Sequence, residues 1–274
     1  MEKEVLVCGQ ECPNQCRCQN SRVKCHRLQT FPHLGFPGNT TKIAFDHADL
    51  DEIPTNAFQG LSSLVAVEFT ECSISSIAVN AFSEVMSLRN LRFEICTIGN
   101  IHQHAFAITG RRLKIEFSKS IIRYIHSFAF FAIAGANKMS WKQSQIFNLL
   151  PNAFYNVTDL KKLSFDDCEM TVYATAFGEI RALQELRIIR TYFNTLACNG
   201  VTELFKATNV YLSRNSINCD CGIEWVNQEE PDQSFKRFLE TTTCKRPGEY
   251  KNVTMETLSW IDTGRSCAIQ SNEK

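Results

Sequence analysis

The dipeptide Ala-Phe returns at Ala57-Phe58, Ala81-Phe82, Ala105-Phe106, Ala129-Phe130, Ala153-Phe154 and Ala176-Phe177, in steps of 24, 24, 24, 24 and 23 residues. A second apolar series keeps that step: Phe45, Phe69, Phe93, Phe117, Trp141, Phe165, Ile188 and Leu212. Two residues ahead of each stands another apolar side chain: Ile43, Val67, Leu91, Ile115, Met139, Leu163, Leu186 and Val210. Interlocked series at one period describe a stack of short units, because a unit this small does not bury its own apolar face. The local alternation reads as a short strand with one face inside. Eight such strands are expected in a parallel sheet, about 4.8 Å apart, with the Ala-Phe positions as a second buried column behind it.

Aligned on these positions, the units fit the pattern L-x-x-L-x-L-x-x-N/C-x-L, with aromatics often replacing the last strand leucine. Leu64, Val67, Phe69, Cys72 and Ile74 show it, as do Leu88, Leu91, Phe93, Cys96 and Ile98. Over about residues 40 to 218 the chain resembles the leucine-rich-repeat family. That resemblance implies an α/β-type solenoid, a horseshoe of about eight repeats with a parallel concave β-sheet. Cys72, Cys96 and Cys168 fall at the interior turn position and read as unpaired small hydrophobes.

Thirteen cysteines are many, and their placement is informative. Cys8, Cys12, Cys16, Cys18 and Cys25 crowd the start, and Cys219, Cys221, Cys244 and Cys267 crowd the end. Two terminal clusters suggest disulfide-stapled caps made in an oxidising compartment, although four cysteines alone permit three pairings. Cys12-Pro-Asn-Gln-Cys16-Arg-Cys18 with Cys25 resembles the N-terminal cap of extracellular leucine-rich-repeat proteins. Asn218-Cys219-Asp220-Cys221, Trp225, Cys244 and Cys267 resemble the C-terminal one. This likeness, shared with the Slit, Nogo-receptor and variable-lymphocyte-receptor group, implies the pairs Cys12–Cys18, Cys16–Cys25, Cys219–Cys244 and Cys221–Cys267. The Phe-rich strands are more similar to divergent invertebrate members, among them the non-catalytic subunit of a shrimp luciferase. Cys8 and Cys198 stay unassigned. The expected organisation is a cap over residues 8–39, repeats over 40–215, a second cap over 216–267 and a tail over 268–274.

Composition narrows the function. Hydrophobic residues make up 44% of the chain and formal net charge is zero, which argues against a nucleic-acid or anionic-membrane binder. The longest apolar run, Phe128 to Ala136, is too short to insert in a membrane. Met1-Glu-Lys-Glu lacks the character of a signal peptide, so either a leader has been removed or the chain is cytosolic; the cysteines favour the first. Sequons at Asn39, Asn156 and Asn252 fit a secreted or cell-surface glycoprotein.

Enzyme signatures are missing: there is no G-x-S-x-G, no H-E-x-x-H and no Gly-rich phosphate loop, and no cofactor or metal is expected. His102 and His126 occupy equivalent places in adjacent units, with His104 nearby, but read as a solvated turn. Asp166-Asp167 reads as a charged strand edge.

The residues pointing out of the sheet are the better candidates. Glu68, Glu71 and Glu94 gather acid near one end, with Arg92 and Glu116 between zones. Lys114, Lys119, Lys138, Lys142 and Lys162 gather base in the middle, and Arg187, Arg190 and Arg214 at the far end. Ile95, Ile189 and Tyr211 add exposed apolar anchors. Such zoning suits an extended protein partner on the concave face. The reading is therefore a non-enzymatic extracellular recognition module; the alternative is a subunit that stabilises or positions a secreted enzyme. Pairing with a second copy of the chain is also open.

Overall fold

In the segment Lys42–Asp46, Ile43 and Phe45 are fully buried while Lys42, Ala44 and Asp46 are half-exposed, and the same alternation recurs down the chain. The computed structural model describes residues 12–32, 35–83, 85–108, 112–197, 200–219, 233–246 and 248–259. Its front sheet has ten strands in the order Cys16–Gln19, Arg22–His26, Lys42–Asp46, Ala66–Thr70, Asn90–Glu94, Lys114–Ser118, Lys138–Lys142, Lys162–Asp166, Glu185–Ile189 and Asn209–Ser213. The last eight are the expected parallel strands, and the first, antiparallel to its neighbour, covers the edge of the sheet.

Behind them lies a second parallel sheet of nine strands, from Asp49–Ile53 through Ser73–Ile77, Thr97–Ile101, Ile121–Ile125, Gln145–Leu149, Glu169–Val172, Tyr192–Leu196 and Asn215–Asn218 to Thr242–Arg246. The repeats are thus almost free of helix and carry sheet on both sides. Rear strands bury their second and fifth residues, such as Ile74 and Ile77 or Ile98 and Ile101. The short step of 23 is taken up here: Glu169–Val172 is one residue shorter, and the ladder on both sides of it shifts register.

Each turn passes from front to rear through a left-handed corner. His47, Glu71, Ile95, Lys119, Gln143, Asp167, Arg190 and Arg214 have φ of 50 to 59°, although none is glycine. Single non-Gly residues in this region are strained, and are kept where the surroundings over-determine them. Here the N–H groups from His47 to Arg190 each donate to a carbonyl of the following turn at 2.8 to 3.0 Å. The next residue points inward, and polar groups there serve the backbone. Cys72 Sγ reaches the carbonyl oxygens of Thr70 and Phe45, Ser120 Oγ those of Ser118 and Phe93, and Asn215 Nδ2 that of Ile188. Ser120 Oγ and Ser144 Oγ also accept from the preceding turns' Cys96 and Ser120 N–H groups. The three interior cysteines are free and buried, as expected, but are members of this hydrogen-bonding column and not apolar filling alone.

Two aromatic ladders run through the core. Phe45, Phe69, Phe93, Phe117, Trp141 and Phe165 stack with centroids 4.7 to 5.2 Å apart. Phe58, Phe82, Phe106, Phe130, Phe154 and Phe177 stack at 4.6 to 5.3 Å. The ladders meet edge to face, as at Phe130 and Trp141, 5.8 Å apart and 87° inclined. Quadrupoles favour such edge-to-face contacts over a face-to-face sandwich.

The ends differ. Cys12–Cys18 and Cys16–Cys25 are bridged at the start, and Cys219–Cys244 at the end. These are pairs that the family resemblance implies; Cys221–Cys267, Trp225, Cys8, Cys198 and the tail lie outside the described residues. Helix Gln233–Thr241 packs Phe235 and Phe238 on Phe205, and Phe238 on Phe193. Val210, expected inside, is half-buried because the strand Asn209–Ser213 is the last of the front sheet.

Candidate functional site

Outward residues of the front sheet stand at the first, third and fifth places of each strand, so one turn's side chains lie beside the next turn's. That proximity rearranges the charge zones expected from sequence. The acidic end is paired: Lys42 Nζ is 2.7 Å from Glu68, His47 Nε2 is 2.9 Å from Glu71 Oε2, and Arg92 is 3.0 Å from Glu94. In the middle Lys138 pairs with Glu116 and Lys162 with Glu185, and farther on Arg190 pairs with Asp166. Ser140 and Ser164, outward by strand phase, are only 7% and 6% exposed.

Among the described residues Lys114, Lys119, Lys142, Arg187 and Arg214 make no ion pair. Lys114 and Lys142 are exposed at opposite ends of neighbouring strands, and Lys119 sits at the corner beside Lys142, donating its N–H to that residue's carbonyl. Arg187 faces Tyr211 in register, and Tyr211 is half-exposed. Ile95 is also exposed, but Ile189 is only partly so and pairs with Ser213 on the next strand, which removes it as an exposed anchor. Among the described residues what remains outward and unpaired is mostly basic, from the middle of the sheet to its far end; the exposed corner residue Asp167 is the unpaired carboxylate among them.

The histidines sort differently from the sequence reading. His102 and His126 do stack, rings 5.1 Å apart and 18° inclined, with His126 Nε2 on Asn100 Oδ1. Parallel rings present faces to each other, so their nitrogens do not converge on one point. Burial, and then the charge of His102, push the His126 imidazole below its usual range. His26, which no 24-residue register picks out, comes instead beside Asp46 and His47 at the first turn. Burial raises the Asp46 carboxyl, but the hydrogen bond from His47, the charges of Lys24 and His47 and the hydrogen bond from His26 outweigh it and leave the group below the ordinary carboxylate range. Asp166, half of the acidic pair noted in sequence, is taken by Arg190.

Asn39, Asn156 and Asn252 are all exposed. No helix among the described residues is long and apolar enough to cross a membrane.

The model of the BspA-type leucine-rich-repeat region matches this chain in six copies, over residues 36–140 and 93–201, together more than half of its length. Among solved structures the chain is similar to human 5T4 (Wnt-activated inhibitory factor 1, trophoblast glycoprotein), with 19% identity and a TM-score of 0.51, over 90% of this chain and 97% of that one. This likeness is one of fold. A chain of the octameric complex of Latrophilin 3, Unc5D and FLRT2 aligns over 89% of this chain and 97% of its own, at 15% identity and a TM-score of 0.33. The repeat pattern, the two-sheeted stack and the family match agree: the chain belongs to the leucine-rich-repeat family, in its BspA-type form.

Proposed function

We propose that this protein is a non-catalytic recognition module working outside the cell, and that its front sheet binds a protein partner with an acidic, extended surface. The observation that carries the reading is the excess of unpaired cations, Lys114, Lys119, Lys142, Arg187 and Arg214 against the single unpaired carboxylate Asp167 among the described residues of this face. A field of one sign accelerates encounter with a complementary surface, and Tyr211 beside Arg187 supplies the kind of aromatic-arginine anchor that slows departure. Three disulfides among the described residues and three exposed sequon asparagines support an extracellular site of action. Solenoids of this kind present their sheet as a preformed surface, so binding orders little backbone.

The test begins by capturing the partner from the native source and measuring association by surface plasmon resonance. Lys114→Glu with Lys142→Glu is expected to slow association several-fold at low salt and much less at high salt. Tyr211→Ala is expected to act on dissociation. Unchanged kinetics in both variants, with loss of binding when a glycan is placed on the rear side near Gln103, would move the site off the front sheet.

A further inference from the structure

The N-terminal rim of the front sheet brings together a ligand set that the repeat itself does not encode. Cap strand Arg22–His26 pairs with Lys42–Asp46 at an offset of 20 residues, not 24, so His26 lies opposite Asp46. His47 follows at the left-handed corner, φ 53°, where its N–H donates to Thr70 O at 3.0 Å and holds the backbone beside Asp46. His26 Nδ1 is 3.3 Å from Asp46 Oδ2, and His47 Nδ1 is 3.0 Å from Asp46 Oδ1. The two rings meet edge to face at 5.5 Å. One donor atom from each of the three residues lies within 4.8 Å of the other two.

Tetrahedral zinc, with bonds of about 2.0–2.2 Å to imidazole and carboxylate, sets its ligand atoms about 3.4 Å apart. The side chains of His26 and His47 are about half-exposed, 51% and 46%, so small rotations bring their nitrogens to that spacing. Glu71 Oε2 lies 2.9 Å from His47 Nε2. When a cation displaces the Nδ1 hydrogen bond to Asp46, a proton kept on Nε2 by the Glu71 carboxylate leaves the Nδ1 lone pair for the metal, the arrangement by which an outer carboxylate orients a metal-binding histidine. Lys24, 3.5 Å from Asp46 and two-thirds exposed, is free to swing into solvent when a cation takes the carboxylate. Two imidazoles and one carboxylate suit a borderline ion such as zinc, whereas calcium and magnesium ask for more oxygens.

We propose that His26, Asp46 and His47 bind a divalent cation of the zinc type, with Glu71 orienting His47 and the remaining position open to solvent. The ion ties the disulfide cap to the first repeat across the seam where the chain changes its step. Open coordination at the rim also offers a point where a partner's carboxylate or imidazole completes the shell.

Isothermal titration of zinc into the chelator-stripped full chain, without a polyhistidine tag, tests this directly. The expected result is one zinc per chain, no heat with magnesium, and a rise in melting temperature with zinc. His26→Gln and His47→Asn are expected to weaken binding more than tenfold and to abolish that rise; asparagine tolerates the left-handed corner. Glu71→Gln is expected to cost about 10–100-fold in affinity. No zinc heat in the wild-type chain overturns the proposal, as does binding that survives both histidine variants. Circular dichroism matching the wild type shows that a weakened variant is folded, and a variant that fails it is replaced by Asp46→Asn.

Discussion

The two ends of the solenoid are closed by different means. At the start, an antiparallel strand under two disulfides covers the front sheet, and Phe31 and Phe36 begin both aromatic ladders by packing on Phe45 and Phe58. At the far end the closing strand Thr242–Arg246 joins the rear sheet, while the front sheet ends at Asn209–Ser213 with its edge strand partly open. The ladders have stopped by then: Ile188 and Leu212 continue the front column after Phe165, and Phe193, Phe205, Phe235 and Phe238 form a separate cluster with the helix. In a stack stabilised by neighbours, continuity of contact decides where opening starts. The aromatic turns form the stable body and the last turns the weak end.

Replacing Phe117 or Trp141 by alanine attacks the body, where each ring stacks on both sides, and is expected to cost about 3–5 kcal/mol in urea unfolding. Leu212→Ala at the weak end is expected at about 2 kcal/mol, the low end for its kind. Equal losses would erase the distinction between the two regions.

The disulfides sharpen it. Cys12–Cys18 spans 6 residues and Cys219–Cys244 spans 25, so the single described bridge at the far end restricts the unfolded chain more. By loop entropy, serine pairs at these positions are expected to cost about 2.2 and about 3.5 kcal/mol respectively. A reversed order in thermal unfolding would mean that the N-terminal bridges act through the native cap and not through the unfolded state.

The smallest effect is expected at Trp141→Phe. Its indole N–H is fully buried and has no acceptor, an arrangement that costs stability, while phenylalanine restores the uniform ladder at the loss of some buried area. The two terms oppose, and the change is expected within about 1 kcal/mol of zero by denaturant midpoint. A loss as large as that of Trp141→Ala would show that the larger ring fills space the ladder needs.

Much of the front of this molecule was legible from residue order. A strand that alternates, repeated at a constant step, determines both which side chains are inside and which units are neighbours, so the eight front strands and the Phe45 and Phe58 columns follow from pattern alone. Burial of apolar surface needs only the period. The rear sheet was not legible, because its strands bury residues three apart, such as Ile74 and Ile77, and this spacing does not match the alternation that marks a strand. Nor was the pairing of charges: Lys42 and Glu68 are 26 residues apart, Glu116 and Lys138 22, and such offsets become contacts only when the turns are stacked. His26 escaped notice because the cap joins at an offset of 20 and so breaks the register that reveals everything else. Residue order alone carries the repeat and its buried columns, whereas stacking in three dimensions sets which charges are cancelled and which histidines meet. Hydrophobic burial is satisfied by any close neighbour, whereas an ion pair or a metal site depends on direction and on distances of a few ångströms, which stacking and the cap's offset alone set.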